Sequence, residues 1–326
     1  MTNNITTIKS SKGSLSWVNI VNAKGKEIDY LKRKYKFKEL DLSDSYARQY
    51  AQRPKFHQRN DYFFLILQFP YYNKEKREII AEEIDFFVTK DEVITVHKNN
   101  LQPIVSFFNE CRKNEFISDQ YLGGDNASLL YEIIIRLQFY TYPILDHISV
   151  DIQNIEKKIF AGEERQMVTE ILYIKRNILN MRKIMEAHKN VMQKIIKENI
   201  KFFPMQKQLA YYDHIIEHSK DIWGIMEGQK DMIEALENTN TTLVSFKLND
   251  IMKLLTIFSV IVFPLTLLAA IFGMNTVNGM PFIDTPNGFW AIIAIMLVGS
   301  FGMLQIQTVT TMLILHYLKD FLKASV

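Results

Sequence analysis

NDIMKLLTIFSVIVFPLTLLAAIFGMN, running from Asn249 to Asn275, decides how the rest of the chain is read. From Leu254 to Leu318 there is no Lys, Arg or Glu, and Asp284 is the one acid, although 23% of the 326 residues are charged. Leu254–Phe272 makes about 28 Å of helix at about 1.5 Å per residue, close to a hydrocarbon core of about 30 Å. Phe289–Leu315 is a second apolar run, so the C-terminal part reads as two membrane spans joined by a short loop.

The first span carries a pattern that a plain anchor does not need. Asn249, Met252, Thr256, Ser259, Phe263, Thr266 and Ala270 recur at steps of three and four and fall on one helical face, while Leu, Ile and Val dominate the others. A stripe of small and hydroxyl residues in lipid serves either close helix packing or a wall facing water. Spacing alone favours packing.

The polar front of the chain bounds the compartment. Net charge is +3 overall and says little about partners; no nucleic-acid partner is expected. The opening MTNNITTIKSSKGSLSW has no continuous apolar core, so no secretory signal is expected. Cys111 stands alone, which precludes an intrachain disulfide and fits a reducing cytosol. Lys247 and Lys253 precede the first span, Lys319 and Lys323 follow the second, and the loop from Asn275 to Gly288 has neither Lys nor Arg. The positive-inside rule then puts both termini and the front domain in the cytosol and the loop outside.

Leu15–Ile20 reads as a strand, followed by short helices over Glu27–Lys34 and Leu42–Gln49. Tyr62–Phe69 is expected as a buried strand ended by Pro70, and Glu83–Thr89 with Val93–His97 as a hairpin around Lys90-Asp91-Glu92. Leu101–Asn114 looks helical. Beyond it the strand signals stop: Ser128–Phe160 reads as one amphipathic helix capped at Gly162, Met167–Asn199 as a second, and Met205–Phe272 as one uninterrupted third. The expected organisation is therefore an α/β domain over 1–125, a helical hairpin over 126–204, the cytosolic part of a stalk helix over 205–250, a first span over 251–273, an outer loop over 274–288, a second span over 289–315 and a tail over 316–326.

At Gly273-Met274-Asn275 the sequence resembles the CorA family of divalent-cation channels, whose hallmark is a GMN motif at the outer end of the first of two C-terminal spans. The likeness extends through Asn249-Asp250-Ile251-Met252-Lys253-Leu254-Leu255-Thr256 and Pro264-Leu265-Thr266. Less specific matches are Arg53-Pro54-Lys55, Glu83-Ile84-Asp85-Phe86-Phe87, Val93–His97, Tyr142-Pro143-Ile144-Leu145-Asp146 and Tyr212-Asp213-His214. The resemblance implies a funnel-shaped homopentamer in the inner or plasma membrane, with five first spans around a central pore. It implies passive passage of Mg²⁺, with Co²⁺ and Ni²⁺ as further permeants. A Zn²⁺ transporter of the ZntB type is an alternative on the same architecture, and a membrane-anchored divalent-ion sensor is an alternative of another class.

The resemblance tips the stripe towards a water-facing wall. A ring of Asn275 carbonyls, one per subunit, would hydrogen-bond the hydrated ion with neutral oxygens and avoid the deep trap a carboxylate ring creates. Gly273 would let the backbone turn, and Met274 would pack. Met252 and Leu255 match positions that form a hydrophobic gate in the family. The sequence departs from common family patterns at Phe263 (often Met), Ala270 (often Gly) and Phe272 (often Tyr). Asp284 is either an anionic ring at the outer mouth or a solvated loop acid.

His214-Ile215-Ile216-Glu217-His218 fits the HxxEH pattern of some zinc peptidases, but no third ligand is marked and the segment lies on the stalk. Asp213, His214, Glu217, His218 and Asp221, with Glu227, Asp231, Glu234 and Glu237 beyond them, leave the stalk acidic, opposed by Lys220 and Lys230. That pattern is a solvated charged face or, between subunits, a site where a divalent ion relieves repulsion and favours the closed state, as the family's regulation by cytosolic Mg²⁺ implies. No phosphate-binding loop, dinucleotide fingerprint or nucleophile elbow is present, so no enzyme activity is expected and transport would run on the membrane potential.

Overall fold

The computed structural model describes residues 4–46, 51–197, 205–274, 281–282 and 286–324. They form two compact units, 1–240 and 241–326.

The first unit is built on six strands: β1 (Ile5–Lys9), β2 (Ser16–Val21), β3 (Lys55–Gln58), β4 (Tyr62–Asn73), β5 (Glu78–Thr89) and β6 (Glu92–His97). Their order is β1-β2-β6-β5-β4-β3, antiparallel throughout except β2 against β6. Both faces of the sheet are covered, which is why YFFLILQF in β4 is apolar at nearly every position and does not alternate. Trp17, Phe63, Leu65, Phe69, Phe86 and Val88 point to one side and pack with α3 (Gln102–Lys113), α5 (Asn126–Phe139), α7 (Glu164–Lys197) and the first turns of α8 (Met205–Phe272). On the other side Val18, Ile20, Phe64, Ile66, Phe87 and Ile94 pack with α1 (Gly25–Tyr35), α2 (Glu39–Asp44) and Phe37 between them.

Two strands escape the sequence reading, β1 and β3, both short and at the sheet edges. β4 does not end at Pro70 but runs through it, with Pro70 opposite Ala81 of β5. The second short helix is α2, Glu39–Asp44, starting earlier than expected; residues 47–50 at its expected end lie outside the described residues.

Helices α4 (Glu115–Leu122) and α5 are each started by a side-chain cap: Asn114 accepts from the Phe116 and Ile117 amides, and Asp125 from Ser128 at 2.8 Å. The single helix expected over Ser128–Phe160 is two, α5 and α6 (Thr141–Phe160), meeting at Tyr140. Pro143 explains the break, because it has no N–H for the Phe139 carbonyl and its ring crowds that oxygen. Gly162 follows α6 with φ 93°, a left-handed backbone that favours glycine.

The second unit holds the rest of α8 and α9 (Gly288–Ala324). Both have apolar stretches long enough to cross a membrane, and none of either stretch is buried within the chain. Leu254, Phe258, Phe263 and Leu267 are 61–70% exposed, and Trp290 and Val298 are 68% and 73% exposed. A continuous surface of this kind belongs in lipid or against further copies of the chain.

Candidate functional site

The stripe expected on the first span lies on one continuous helix, α8. Asn249, Met252, Leu255, Thr256, Phe263, Thr266 and Ala270 are exposed and Ser259 is half-buried. Thr256 Oγ1 donates to the Met252 carbonyl at 2.8 Å, Ser259 Oγ to that of Leu255 at 2.9 Å, and Thr266 Oγ1 to that of Val262 at 2.8 Å. These bonds use up the hydroxyl protons inside the helix. What each oxygen then presents outward is lone pairs, the group that a cation or the outer protons of its hydration shell require. Leu255, Thr256, Ser259, Val260, Phe263 and Pro264 line a shallow groove of about 440 Å³ on this face.

At the C-terminal end of α8 the Gly273 amide still bonds to the Ala269 carbonyl at 2.9 Å, and that of Met274 to Ile271 at 3.2 Å. A Cβ on Gly273 would stand 3.1 Å from the Ala269 oxygen. A side chain there would need that carbonyl to give by a few tenths of an ångström; among the described glycines positive φ occurs at Gly162. Asn275 and Asp284 lie outside the described residues.

On the N-terminal half of α8, His214 and His218 stand one turn apart with ring centroids 4.6 Å from each other. Nδ1 of His214 is 2.6 Å from the Tyr131 hydroxyl, and Nδ1 of His218 is 3.0 Å from that of Tyr142. Asp213, Glu217 and Asp221 are exposed. Among the described residues no three His, Cys, Asp or Glu side chains are grouped to hold a metal. The stalk is also less uniformly acidic than its own sequence reads. Helix α7 supplies Arg182, 2.7 Å from Glu227 and stacked over Trp223, and Lys175, 2.5 Å from Glu237. Cations from another element cannot be seen by counting charges along one helix.

Two polar clusters in the α/β unit were not anticipated. Asp41, with no exposed side-chain surface, accepts from Arg59, Tyr62 and His57. Burial pushes its carboxyl up, but the bonds from Arg59, His57 and Tyr62 outweigh this and hold it below the usual range. Asp85 is buried beside Glu83 with one oxygen unpartnered among the described residues, and burial followed by the Glu83 charge holds its carboxyl well above the usual range. His97 and His188 are buried too, and desolvation lowers both to about 4. Nothing in the local sequence marks the Asp41 cluster, since it joins α2 to the β3–β4 edge.

Comparison with known proteins gives the same picture from outside the chain. The family model described as CorA-like Mg²⁺ transporter protein matches residues 12–306. The cobalt/magnesium transport protein CorA of Thermotoga maritima is 26% identical over 246 residues, 75% of this chain and 68% of that one. Among solved structures, the complete CorA magnesium transporter from Methanocaldococcus jannaschii superposes with a TM-score of 0.78 at 18% identity, covering 92% of both chains. The cytoplasmic domain of ZntB from Vibrio parahaemolyticus superposes at 0.55 and 15% identity, covering 73% of this chain and 89% of that domain. With an α/β unit, one long helix, two apolar C-terminal helices and a family match across nearly the whole length, this chain belongs to the CorA-like Mg²⁺ transporter family, whose members carry divalent cations across membranes.

Proposed function

We propose that this protein is a passive channel for Mg²⁺, with Co²⁺ and Ni²⁺ as further permeants, in the inner or plasma membrane with both termini in the cytosol. The observation that carries the reading is the outward row of acceptor oxygens on α8, at Thr256, Ser259 and Thr266, on the same face as Asn249, Met252 and Leu255. Around a symmetric homo-oligomer, taken as a pentamer, that face would be the pore wall. Gly273, Met274 and Asn275 would form the selectivity filter, Met252 and Leu255 a constriction that closes by excluding water, and Asp284 an acid at the outer mouth. Hydrated Mg²⁺ suits neutral oxygens, since it sheds water reluctantly. Driving force comes from the membrane potential, worth about 2.3 kcal/mol per charge per 100 mV and twice that for a divalent ion.

Closure by cytosolic divalent ions is part of the same proposal. Asp213, Glu217 and Asp221, exposed on the stalk, would meet a neighbouring subunit across a bound ion.

Uptake of Mg²⁺ into proteoliposomes, with Co²⁺ and Zn²⁺ in parallel, tests this reading with wild type and Asn275→Ala. Fast uptake that collapses in the variant while the oligomer stays intact is the expected result. Equal uptake in both removes Asn275 from the filter. Faster Zn²⁺ than Mg²⁺ favours the ZntB-type alternative, and no uptake of any ion favours a sensor.

A further inference from the structure

Helix spacing and tertiary contacts converge at His214 and His218. Four residues apart, they share one face of α8. Each ring is held from a different helix: Tyr131 of α5 reaches Nδ1 of His214 at 2.6 Å, and Tyr142 of α6 reaches Nδ1 of His218 at 3.0 Å. Tyr131 is itself stacked on Tyr211 at 4.4 Å, and Tyr211 shares a hydrogen bond with Ser128 at 3.0 Å. Phe139 packs edge-on against His218 at 4.8 Å. Neither Nε2 atom has a hydrogen-bond partner among the described residues, and His214 is open to solvent.

This is the arrangement that a metal-binding imidazole requires. One ring nitrogen is tied to an oxygen that can accept its proton, which fixes the ring and leaves the other nitrogen's lone pair for the ion. A His pair on successive turns brings two such nitrogens to one side of a helix. Imidazole nitrogen favours Zn²⁺, Ni²⁺ and Co²⁺, whereas Mg²⁺ takes oxygen.

We infer that His214 and His218 form a site within each chain for one borderline divalent metal of the Zn²⁺, Ni²⁺ or Co²⁺ class. The metal binds through the two Nε2 atoms, with the Tyr131 and Tyr142 hydroxyls accepting from Nδ1–H. No third protein ligand is grouped with them among the described residues, so water completes the coordination and the metal exchanges rather than serving as a structural ion. The site differs from the proposed pore and stalk-acid sites in its donors: it reads nitrogen-seeking ions against a background of Mg²⁺. It does not rest on the transport reading, and a chain that moved no ion would still hold it.

The test is equilibrium dialysis of full-length protein in detergent against Zn²⁺ with Mg²⁺ in large excess, comparing wild type with the double variant His214→Gln, His218→Gln. Wild type should retain one more Zn²⁺ per chain than the variant, and adding Co²⁺ to wild type should give a visible absorption difference that the variant lacks. Tyr131→Phe combined with Tyr142→Phe keeps both imidazoles and should weaken the Zn²⁺ site by about tenfold or more. Equal Zn²⁺ in wild type and the His variant overturns the inference, as does displacement of the extra Zn²⁺ by the excess Mg²⁺. Unchanged circular dichroism of the variants shows that any loss is of ligands and not of fold.

Discussion

Arg59 grips Asp41 with two parallel hydrogen bonds, Nε to Oδ2 at 2.9 Å and Nη2 to Oδ1 at 2.7 Å. The pair fastens α2 to the strand edge at β3–β4, and Tyr62 adds a third bond to the same carboxylate at 2.8 Å. Removing one partner of a buried pair leaves the other charge stranded. Because Arg59 keeps some contact with solvent, Asp41→Asn should cost about 1.5–3 kcal/mol and lower the melting temperature of the full-length protein in detergent by several degrees. Because the folded pKa of Asp41 lies below its unfolded value, the contribution is present above about pH 4 and is lost as pH falls below that. A variant that melts with wild type would show the carboxylate to be dispensable.

Asp85 should behave in the opposite way. Its folded pKa is raised, so its stability contribution is present below about pH 4 and lost as pH rises through the folded value. The amide of Asp85→Asn has nearly the same shape and no charge to strand. Thermal melts at neutral pH should show it at least as stable as wild type, by about 1 kcal/mol or more. A fall as large as that of Asp41→Asn would mean that Asp85 is ionised and paired.

Acid sensitivity should come first from the buried histidines. His97 lies against Asn19 at 2.9 Å, and His188 bonds to the Gln68 carbonyl. Both have folded values of about 4, so below about pH 6.5 the unfolded chain takes up protons that the folded chain refuses. Stability should decline from there and level off near pH 4, with each histidine accounting for about 2 kcal/mol at pH 5. His97→Gln should flatten the slope in a pH series of melts, and an unchanged slope would count against this source.

For the proposed pore wall, Thr256→Val keeps the volume and removes the acceptor oxygen. Uptake in proteoliposomes should fall a few-fold, while Phe258→Leu, on the opposite side of α8, leaves it unchanged. Equal effects at both positions would make the stripe a packing surface.

Substituting polar for apolar at the proposed constriction should act in the other direction. Leu255→Asn would keep water in a neck that otherwise dries, raising uptake several-fold and reducing its inhibition by internal Mg²⁺. Unchanged uptake and inhibition would move the gate away from Leu255.

What the sequence disclosed and what it hid divide on physical lines. Helix α8 was legible from end to end because its signals are local: a break at Phe202-Phe203-Pro204, unbroken periodicity, and a run without charge. β4, β5 and β6 were legible because burial on both faces leaves dense apolar runs. The edge strands ITTIK and KFHQ were not, since half-exposed edges keep polar residues. The parallel pairing of β2 with β6 joins residues more than 70 positions apart, and no local pattern records it. Pro143 did carry the signal for the restart at Thr141, but the apolar spacing ran across it. At the sites, the His pair was visible as a spacing; the tyrosines that orient it come from α5 and α6 and were not.

The core of the α/β unit is not finished by the α/β segment. Tyr212 and Ile215, on the first turns of α8, are buried in the same cluster as Trp17 and Phe63, and Ile222, Met226 and Ile233 are buried further along the helix. During synthesis, then, the sheet waits with one side incompletely covered while α3 to α7 leave the ribosome. The helix that closes it is continuous with the greasy stretch that must next enter the bilayer. Maturation of the α/β unit and delivery to the insertion machinery thus fall in one brief window of translation. A nascent chain stalled before α8 would have neither a sealed domain nor a membrane to hold it.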